Sequence, residues 1–224
     1  MLARRSCQTW SVRDRRQLLN DARLYLVCDD RPDDFLVAAL RGGVDIVQLR
    51  MKDAGDERIV SAGQRFAAVC AERDALLILN DRPDLVAAVD ADGVHVGQDD
   101  VPVARARALV GEDRLVGLST HSPLQIDRAE NVDYIGVGPV NATPTKPGRP
   151  AVGTELVRYA AEHARIPFFA IGGIGVDNVG AVLEAGASRI AVVRALTLAD
   201  NPETTARELR AELETAGRER VGPA

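Results

Sequence analysis

The chain has 224 residues, of which 46% are hydrophobic and 27% are charged. This length and composition suit one large or two small folded domains and argue against a disordered chain. Lys and Arg number 28 against 33 Asp and Glu, which gives a formal net charge of -5. No global positive field therefore favours nucleic acid or an anionic membrane surface, and any anion-binding site must be local.

The first residues, MLARRSCQTWSVRDRRQ, are basic but lack the apolar core of a signal peptide, and no run is long enough to cross a membrane. The sequence therefore predicts a cytoplasmic protein without nucleic-acid or membrane partners. We interpret residues 1–21 as a solvated leader with helical potential. The three cysteines, Cys7, Cys28 and Cys70, form no CxxC pair, which favours free thiols over a disulfide framework or a zinc site.

Short apolar runs rich in Val, Ile and Leu recur along the chain and alternate with segments of helical spacing. The strand candidates begin at Leu24, Ile46, Leu76, Gly93, Leu115, Tyr134, Phe168 and Ile190. The helical candidates include Asp56–Arg73, Pro102–Val110, Thr154–Arg165, Val176–Ala185 and Pro202–Leu213. About eight strand-then-helix units within this length predict an α/β fold, a single-domain (β/α)8 TIM barrel over residues 22–215, followed by a frayed tail over 216–224.

The alternative architecture is an open doubly wound sheet. Its dinucleotide-binding form carries GxGxxG in the first strand-to-helix turn, but after Val27 the chain reads CDDRPDD. The glycine-rich stretch Gly172–Gly175 follows the seventh strand, where barrels commonly bind a phosphate. The barrel is the better prediction.

Polar side chains gather at the ends of the predicted strands, where barrel enzymes carry their chemistry. Gln48, Arg50 and Lys52 alternate along one strand end, so all three point to the same side. Two cations there favour a multiply charged anion such as diphosphate. Ordinary surface charges at an exposed strand end are the alternative, and Lys146 at another strand end favours the anion site.

Asn80, Asp81 and Asp100 follow the next two strands. Mg²⁺ prefers hard oxygen ligands and is often held by one or two carboxylates together with phosphate oxygens, so Asp81 and Asp100 predict a magnesium site. Helix capping is the alternative role for each carboxylate, and Asp99 is a rival ligand.

Two further strand ends carry candidate groups. Gly172, Gly173 and Gly175 let backbone N–H groups approach an anion, with a helix predicted from Val176 and with Val193 and Arg194 nearby, which favours a monophosphate site over an unliganded tight turn.

Ser119 could contact a substrate or simply end its strand. A triad with His121 is disfavoured because there is no GxSxG elbow, and we interpret His95 as a histidine of the barrel wall.

The loop GPVNATPTKPG, from Gly138 to Gly148, sets Thr143, Thr145 and Lys146 among prolines directly after the sixth strand. Proline fixes the backbone angle φ, so this loop is stiff. We expect it to bring Lys146 to one anion and the threonines to another.

Eight motifs occur in order across almost the whole chain: VQLRMKD, LILNDRPDLV, DGVHVGQDD, GLSTH, DYIGVGPV, ATPTKPG, AIGGI and VVRAL. In this ordered set the chain resembles the thiamine phosphate synthase family. The resemblance implies a transferase of thiamine biosynthesis. It would transfer the hydroxymethylpyrimidine group from its diphosphate to the nitrogen of a thiazole phosphate, releasing diphosphate through a dissociative, Mg²⁺-assisted substitution.

The resemblance also implies roles for individual residues. Those implied to bind the pyrimidine diphosphate are Gln48, Arg50, Lys52, Asn80, Ser119 and Lys146. Of these, the ones implied to act in catalysis are Arg50, Lys52, Ser119 and Lys146. Those implied to bind the thiazole phosphate are Thr143, Thr145, Gly173, Val193 and Arg194. Mg²⁺ would be the cofactor, with Asp81 and Asp100 as its ligands.

Two positions depart from the family pattern, where an aromatic residue often stands at Asn141 and a serine sometimes at Arg194. Two other functions of the same barrel remain open: a thiazole tautomerase with a histidine such as His121 as proton shuttle, and a non-catalytic regulator that binds the thiazole phosphate. The intact diphosphate and metal residues disfavour both. A homo-oligomer is also open.

Overall fold

The structure is a computed structural model that describes residues 12–142 and 151–221. Its strands are β1 Leu24–Cys28, β2 Ile46–Leu49, β3 Leu76–Asn80, β4 Gly93–Val96, β5 Leu115–Thr120, β6 Tyr134–Val137, β7 Phe168–Ile171 and β8 Ile190–Val192. Its α-helices are α1 Val12–Asp21, α2 Asp33–Arg41, α3 Asp56–Ala71, α4 Val86–Val89, α5 Val103–Val110, α6 Pro123–Asp127, α7 Glu155–His163, α8 Val179–Glu184, α9 Arg194–Thr197 and α10 Pro202–Val221. A 3-10 helix, Pro83–Leu85, precedes α4.

The eight strands close into one parallel barrel in chain order. Closure is made by β8 against β1, where Ile190 pairs with Leu24 and Val192 with Leu26. The predicted (β/α)8 barrel is confirmed, and the open sheet is excluded because neither β1 nor β8 is left as an edge strand. Strands buried on both faces must be apolar throughout, which is why each was visible in the sequence as a continuous apolar run.

Alternate residues of the strands form two separate cores. Outward-facing residues such as Leu24 and Leu26 pack against the surrounding helices. Inward-facing residues such as Tyr25, Ile46 and Phe169 fill the barrel interior. This division follows from the period of two along a strand.

Helix α1 covers the end of the barrel at which the strands begin. Leu19 is 2% exposed and packs into the interior cluster. Arg15 Nε lies 2.9 Å from Asp92 Oδ1, and Arg16 Nε lies 3.0 Å from Asp133 Oδ1. The predicted helical potential is confirmed over Val12–Asp21. The prediction of a solvated leader is wrong for the face of this helix that carries Arg15 and Leu19, because that face covers the open end of the barrel, whereas Gln17 and Asn20 are exposed.

Three aspartates stand directly before the even-numbered strands β2, β4 and β6: Asp45, Asp92 and Asp133. Each carboxylate accepts a backbone N–H from near the start of the preceding odd-numbered strand. These donors are Leu24 at 2.9 Å, Leu77 at 2.9 Å and Val116 at 2.8 Å, respectively. Before β8 the corresponding residue is Arg189. At the end of the barrel where the strands begin, side-chain hydrogen bonds thus join β1 to β2, β3 to β4 and β5 to β6.

The last helix, α10, continues to Val221 and enters the segment predicted as a frayed tail. Leu209 and Leu213 on this helix are buried. Cys28 and Cys70 are buried free thiols, as predicted, while Cys7 lies outside the described residues. Over residues 12–142 and 151–221, none of the helices has both the length and the apolar character needed to cross a membrane.

Candidate active site

A cavity of about 460 Å³ opens where the strands end. It is lined by every predicted site residue that the structure describes: Gln48, Arg50, Lys52, Asn80, Asp81, Asp100, Ser119, Gly173, Val193 and Arg194. The remaining predicted residues, Thr143, Thr145 and Lys146, lie outside the described residues. Residues from six strand ends therefore meet at one mouth, because parallel strands all end on the same face of the barrel.

The cationic side of the mouth is supplied by the end of β2. Arg50 and Lys52 follow the last residue of β2 and both line the cavity, as their alternation in the sequence predicts. Lys52 Nζ lies 3.2 Å from Asp81 Oδ2. Within the described part of the chain, the Arg50 guanidinium has no carboxylate partner, so its planar fork can receive an anion.

The Asp81 carboxylate is held at the end of β3 by its neighbours. Its backbone lies in the left-handed region, at φ 61°, and its N–H donates to the His95 carbonyl at 2.8 Å. Asn80 Nδ2 donates to Oδ2 at 2.6 Å. The residue before the 3-10 helix is Arg82, which makes no side-chain cap. Asp81 therefore does not cap that helix, and its strained backbone directs the carboxylate to the cavity instead.

Asp100 is the carboxylate that faces Asp81. Its Oδ2 accepts the Gly97 N–H at 3.0 Å, and it lines the cavity, whereas Asp99 does not. Burial and the negative charge of Asp100 raise the pKa of Asp81, with Lys52 acting in the opposite direction. The structure thus favours Asp100 over Asp99 as the partner of Asp81.

This carboxylate pair fits a divalent cation. Two negative groups close enough to raise a pKa repel each other, and a bound cation would relieve that repulsion. No group of three or more His, Cys, Asp or Glu side chains that could hold a metal ion occurs among residues 12–142 and 151–221. Two carboxylates with water and phosphate oxygens match the donor set of Mg²⁺ better than that of zinc.

A chain of five polar side chains crosses the barrel beneath the mouth. Gln48 Nε2 donates to Tyr25 Oη at 2.6 Å, and Tyr25 Oη lies 2.9 Å from Tyr134 Oη. Tyr134 Oη lies 3.2 Å from His95 Nδ1, and His95 Nε2 lies 2.9 Å from Ser119 Oγ. We call these five residues the polar relay; two predicted substrate-binding residues form its ends.

The interior of the barrel is shaped around the polar relay. The Tyr25 and Tyr134 rings pack edge to face with Phe169, and burial raises the pKa of both tyrosines, so both keep their protons. Gly117 leaves the space for the central contact, since a Cβ there would overlap the Tyr134 ring and lie 2.6 Å from His95 Nδ1. Sequence reasoning did not single out Tyr25, Tyr134 or Gly117. The sequence feature that could have indicated the two tyrosines is their place in strands that are otherwise aliphatic, at positions that face the barrel interior.

The glycine-rich side of the mouth differs in part from its prediction. Gly172 and Gly173 have φ of 111° and 61°, as a backbone that approaches a ligand requires. Asn178 Oδ1 accepts the Gly175 N–H at 2.9 Å, and Asn178 Nδ2 donates to the Gly173 carbonyl at 2.8 Å. The Gly175 N–H, which we expected to approach an anion, is used within the turn instead. The helix expected from near Val176 begins at Val179, because the Asn178 bridge closes a turn before it.

Asn141, one of the two departures, also supports this turn. Its Nδ2 donates to the Gly173 carbonyl at 3.1 Å, and its N–H donates to the Gly172 carbonyl at 2.9 Å. Arg194, the other departure, is exposed at the start of α9 on the cavity rim. An amide at position 141 thus fixes the glycine-rich turn by hydrogen bonds.

The segments on either side of residues 143–150 are joined at the rim. Val152 N–H donates to the Pro139 carbonyl at 2.8 Å, and Gly153 N–H donates to the Val140 carbonyl at 3.1 Å. Ala142 lines the cavity. The chain on both sides of residues 143–150 therefore lies at the mouth.

A closed (β/α)8 barrel with cations and paired carboxylates facing a glycine-rich turn across one cavity is typical of enzymes that act on small phosphorylated molecules. The family model described as thiamine monophosphate synthase matches residues 24–196. The chain belongs to this family, and the resemblance seen in the sequence is confirmed.

Relatives and a solved structure agree with this family. The thiamine-phosphate synthase of Thermobifida fusca is 51% identical over 212 residues, which cover 90% of this chain and 96% of that protein. That of Thermosynechococcus vestitus is 47% identical over 195 residues, and the matched part spans only 56% of its length. A thiamine phosphate pyrophosphorylase structure from Pyrococcus furiosus superposes with a TM-score of 0.81 at 34% identity, covering 89% of this chain and 98% of that one.

Proposed function

We propose that this chain joins an aminopyrimidine methyl diphosphate to a thiazole phosphate, giving thiamine phosphate and free diphosphate. The observation that carries the proposal is the single cavity that has a cationic, carboxylate-bearing side at β2 to β4 and a glycine-rich side at β7 and β8. Two separate anion sites at one mouth suit two phosphorylated substrates. The relatives named above carry the same activity in their names.

On this proposal each side of the mouth holds one substrate. Arg50, Lys52 and Ser119 bind the diphosphate, and Gln48 contacts the pyrimidine. Backbone N–H groups near Gly173 and Val193 bind the monophosphate of the thiazole, as the bracing of the turn by Asn178 supports. The predicted roles of Thr143, Thr145 and Arg194 in holding the same phosphate stay predictions.

The proposed reaction breaks one bond and forms one bond. The bond between the methylene carbon and the diphosphate oxygen breaks, and its electron pair leaves with the diphosphate. The thiazole nitrogen then gives its lone pair to the same carbon, forming a C–N bond and a thiazolium cation. No proton moves and no protein nucleophile is needed, so the task of the site is positioning and charge neutralisation.

The residues at the mouth suit these tasks. Asp81 and Asp100 would hold Mg²⁺, which, when bound, supplies positive charge to the leaving diphosphate. Arg50 and Lys52 neutralise the remaining charge as the carbon–oxygen bond lengthens. The predicted loop that carries Lys146 would add a cation and exclude water, which would otherwise capture the carbon. Cytoplasmic localisation and a homo-oligomer stay predictions from the sequence.

A diphosphate-release assay tests the proposal. The protein is mixed with the aminopyrimidine diphosphate, the thiazole phosphate or both, each with and without Mg²⁺. We expect diphosphate and thiamine phosphate in equal amounts only when both substrates and Mg²⁺ are present. Release that does not depend on the thiazole phosphate would indicate a hydrolase. Isomerisation of a thiazole alone would indicate a tautomerase, and binding without any turnover would indicate a regulator.

Two variants, one of them with a matched control, test the assigned groups. Asp81→Asn should lower turnover at least about 100-fold by removing a carboxylate from the metal pair. Its control is Asp84→Asn, which removes a more exposed carboxylate, paired with Arg82, three residues further on. Lys146→Ala should lower turnover of both substrates. Unchanged turnover in Asp81→Asn or Lys146→Ala would contradict the role assigned to that residue.

A further inference from the structure

The five groups of the polar relay are linked so that the direction of one hydrogen bond fixes the next. A tyrosine hydroxyl has one proton, and a neutral imidazole has one N–H and one acceptor nitrogen. Tyr25, Tyr134 and His95 are each hydrogen-bonded on both sides. Where each hydroxyl proton and the single N–H of a neutral imidazole is used within the chain, only two directions of the whole chain are possible.

The two directions present different groups to the cavity. In the first, Gln48 donates through Nε2, Tyr25 donates to Tyr134, Tyr134 donates to His95 Nδ1, and His95 Nε2–H donates to Ser119 Oγ. The Gln48 carbonyl and the Ser119 O–H then face the mouth. In the second, every bond is reversed, and the mouth sees the Gln48 NH₂ group and the Ser119 oxygen as an acceptor.

We propose that the polar relay runs in the first direction and thereby couples recognition of the pyrimidine at Gln48 to stabilisation of the leaving group at Ser119. This inference rests on the proposed function. The amino group of an aminopyrimidine is a donor and needs an acceptor, which the Gln48 carbonyl provides, while the second N–H of Gln48 Nε2 is left for an acceptor nitrogen of the pyrimidine ring. Diphosphate oxygens are acceptors only and need a donor, which the Ser119 hydroxyl provides.

Both substrate requirements select the same direction, although Gln48 and Ser119 lie on β2 and β5, on different sides of the barrel. A ligand that offered only acceptors to Gln48 would favour the reverse direction and remove the hydroxyl donor from the diphosphate. Tyr25, Tyr134 and His95 are thus positioning residues. They link recognition of the amino group at Gln48 to the hydrogen-bond donor that Ser119 offers on the other side of the mouth.

Kinetics of hydroxyl-deletion variants test the coupling. Tyr25→Phe and Tyr134→Phe keep the rings and remove one link each, and each should lower kcat/KM for the aminopyrimidine diphosphate about 10-fold. The double variant should be no worse than either single variant, because an already broken chain cannot be broken again. The KM for the thiazole phosphate should not change. The chain's third tyrosine offers a matched control: Tyr159→Phe removes a surface hydroxyl bonded to Asp127 and should leave turnover unchanged.

Single variants that behave like Tyr159→Phe would overturn the proposal, as would effects that multiply to about 100-fold in the double variant. The tautomer of His95 gives an independent measurement by nitrogen NMR of the protein with the aminopyrimidine diphosphate and Mg²⁺, with His95→Gln used to assign the signals. We expect the proton on Nε2; a proton on Nδ1 would refute the direction. This measurement needs binding only, so it decides the direction even where no diphosphate is released and the proposed function has failed.

Discussion

The Asp92 carboxylate offers a sharp test of how the barrel is held together far from the mouth. Asp92 is 9% exposed, and its two oxygens accept from different elements. Oδ1 accepts from Arg15 Nε of α1 at 2.9 Å, and Oδ2 accepts the Leu77 N–H of β3 at 2.9 Å. Asp92→Asn keeps the shape of the side chain but replaces one acceptor oxygen by a donor NH₂ group and removes the charge.

The expected cost follows from these two contacts. One charge-assisted hydrogen bond is lost, worth about 1.5 to 3 kcal/mol, and one buried donor faces another donor, which adds about 1 to 3 kcal/mol. Arg15 Nη1 keeps its bond to the Asp113 carbonyl at 3.2 Å, which limits the loss. We therefore expect the free energy of unfolding to fall by about 3 kcal/mol, near the lower end for a broken buried ion pair.

Thermal unfolding followed by circular dichroism measures the effect. For a chain of this length, about 3 kcal/mol corresponds to a decrease in Tm of about 6 to 12 °C. The matched control is Asp90→Asn, whose side chain is 57% exposed beside Arg114 and whose φ of 60° suits asparagine. Turnover at low temperature should survive both changes. Equal Tm values for the two variants would refute the reasoning.

Three further predictions concern the glycine-rich turn, the cationic side and α1. Asn178→Ala should raise the KM for the thiazole phosphate about 10-fold without changing that for the aminopyrimidine diphosphate, because the turn loses its bridge; equal changes in both KM values would contradict this, and Asn201→Ala, which affects only the start of α10, is the control. Arg50→Lys should lower kcat/KM at least about 10-fold in the diphosphate-release assay because the planar fork is lost, and full activity would show that a point charge suffices. Leu19→Ala should lower the free energy of unfolding by about 2 to 4 kcal/mol in urea, against about 0.5 kcal/mol for the exposed Leu124→Ala; similar losses would mean that α1 does not cover the interior.

Most of the fold could be predicted because buried parallel strands are continuous apolar runs, and all eight such runs became strands. Errors arose where tertiary contacts decide the local structure. The arginines of α1 look solvated in the sequence. Arg15 is nevertheless buried, and its Nε donates to Asp92, 77 residues away. The start of α8 was misplaced because the Asn178 side chain bonds to the Gly175 N–H and holds a turn where helical spacing predicts a helix.

The candidate site was predictable to the extent that strand ends determine what faces the mouth. Gln48, Arg50 and Lys52 follow from the period of two along a single strand. The polar relay could not be predicted in this way. Its hydrogen bond between Tyr25 and Tyr134 joins β1 to β6, and these two strands are not neighbours in the barrel. When the diameter of the closed barrel is unknown, an inward-facing tyrosine is as easily interpreted as a core residue as it is as a member of a hydrogen-bonded chain.

The side-chain joints between odd and even strands have a consequence for how the barrel opens. The fourth pair, β7 and β8, has Arg189 in place of an aspartate and pairs only Ala170 with Ile190 and Ile171 with Ala191. This pair is the seam of the barrel, and we expect its amide protons to exchange with deuterium before those of the other strands. The glycine-rich turn and Val193 follow these same two strands. A phosphate bound to both would therefore hold β7 and β8 together at the mouth. We expect the protection from exchange that a ligand gives to be concentrated in these two strands.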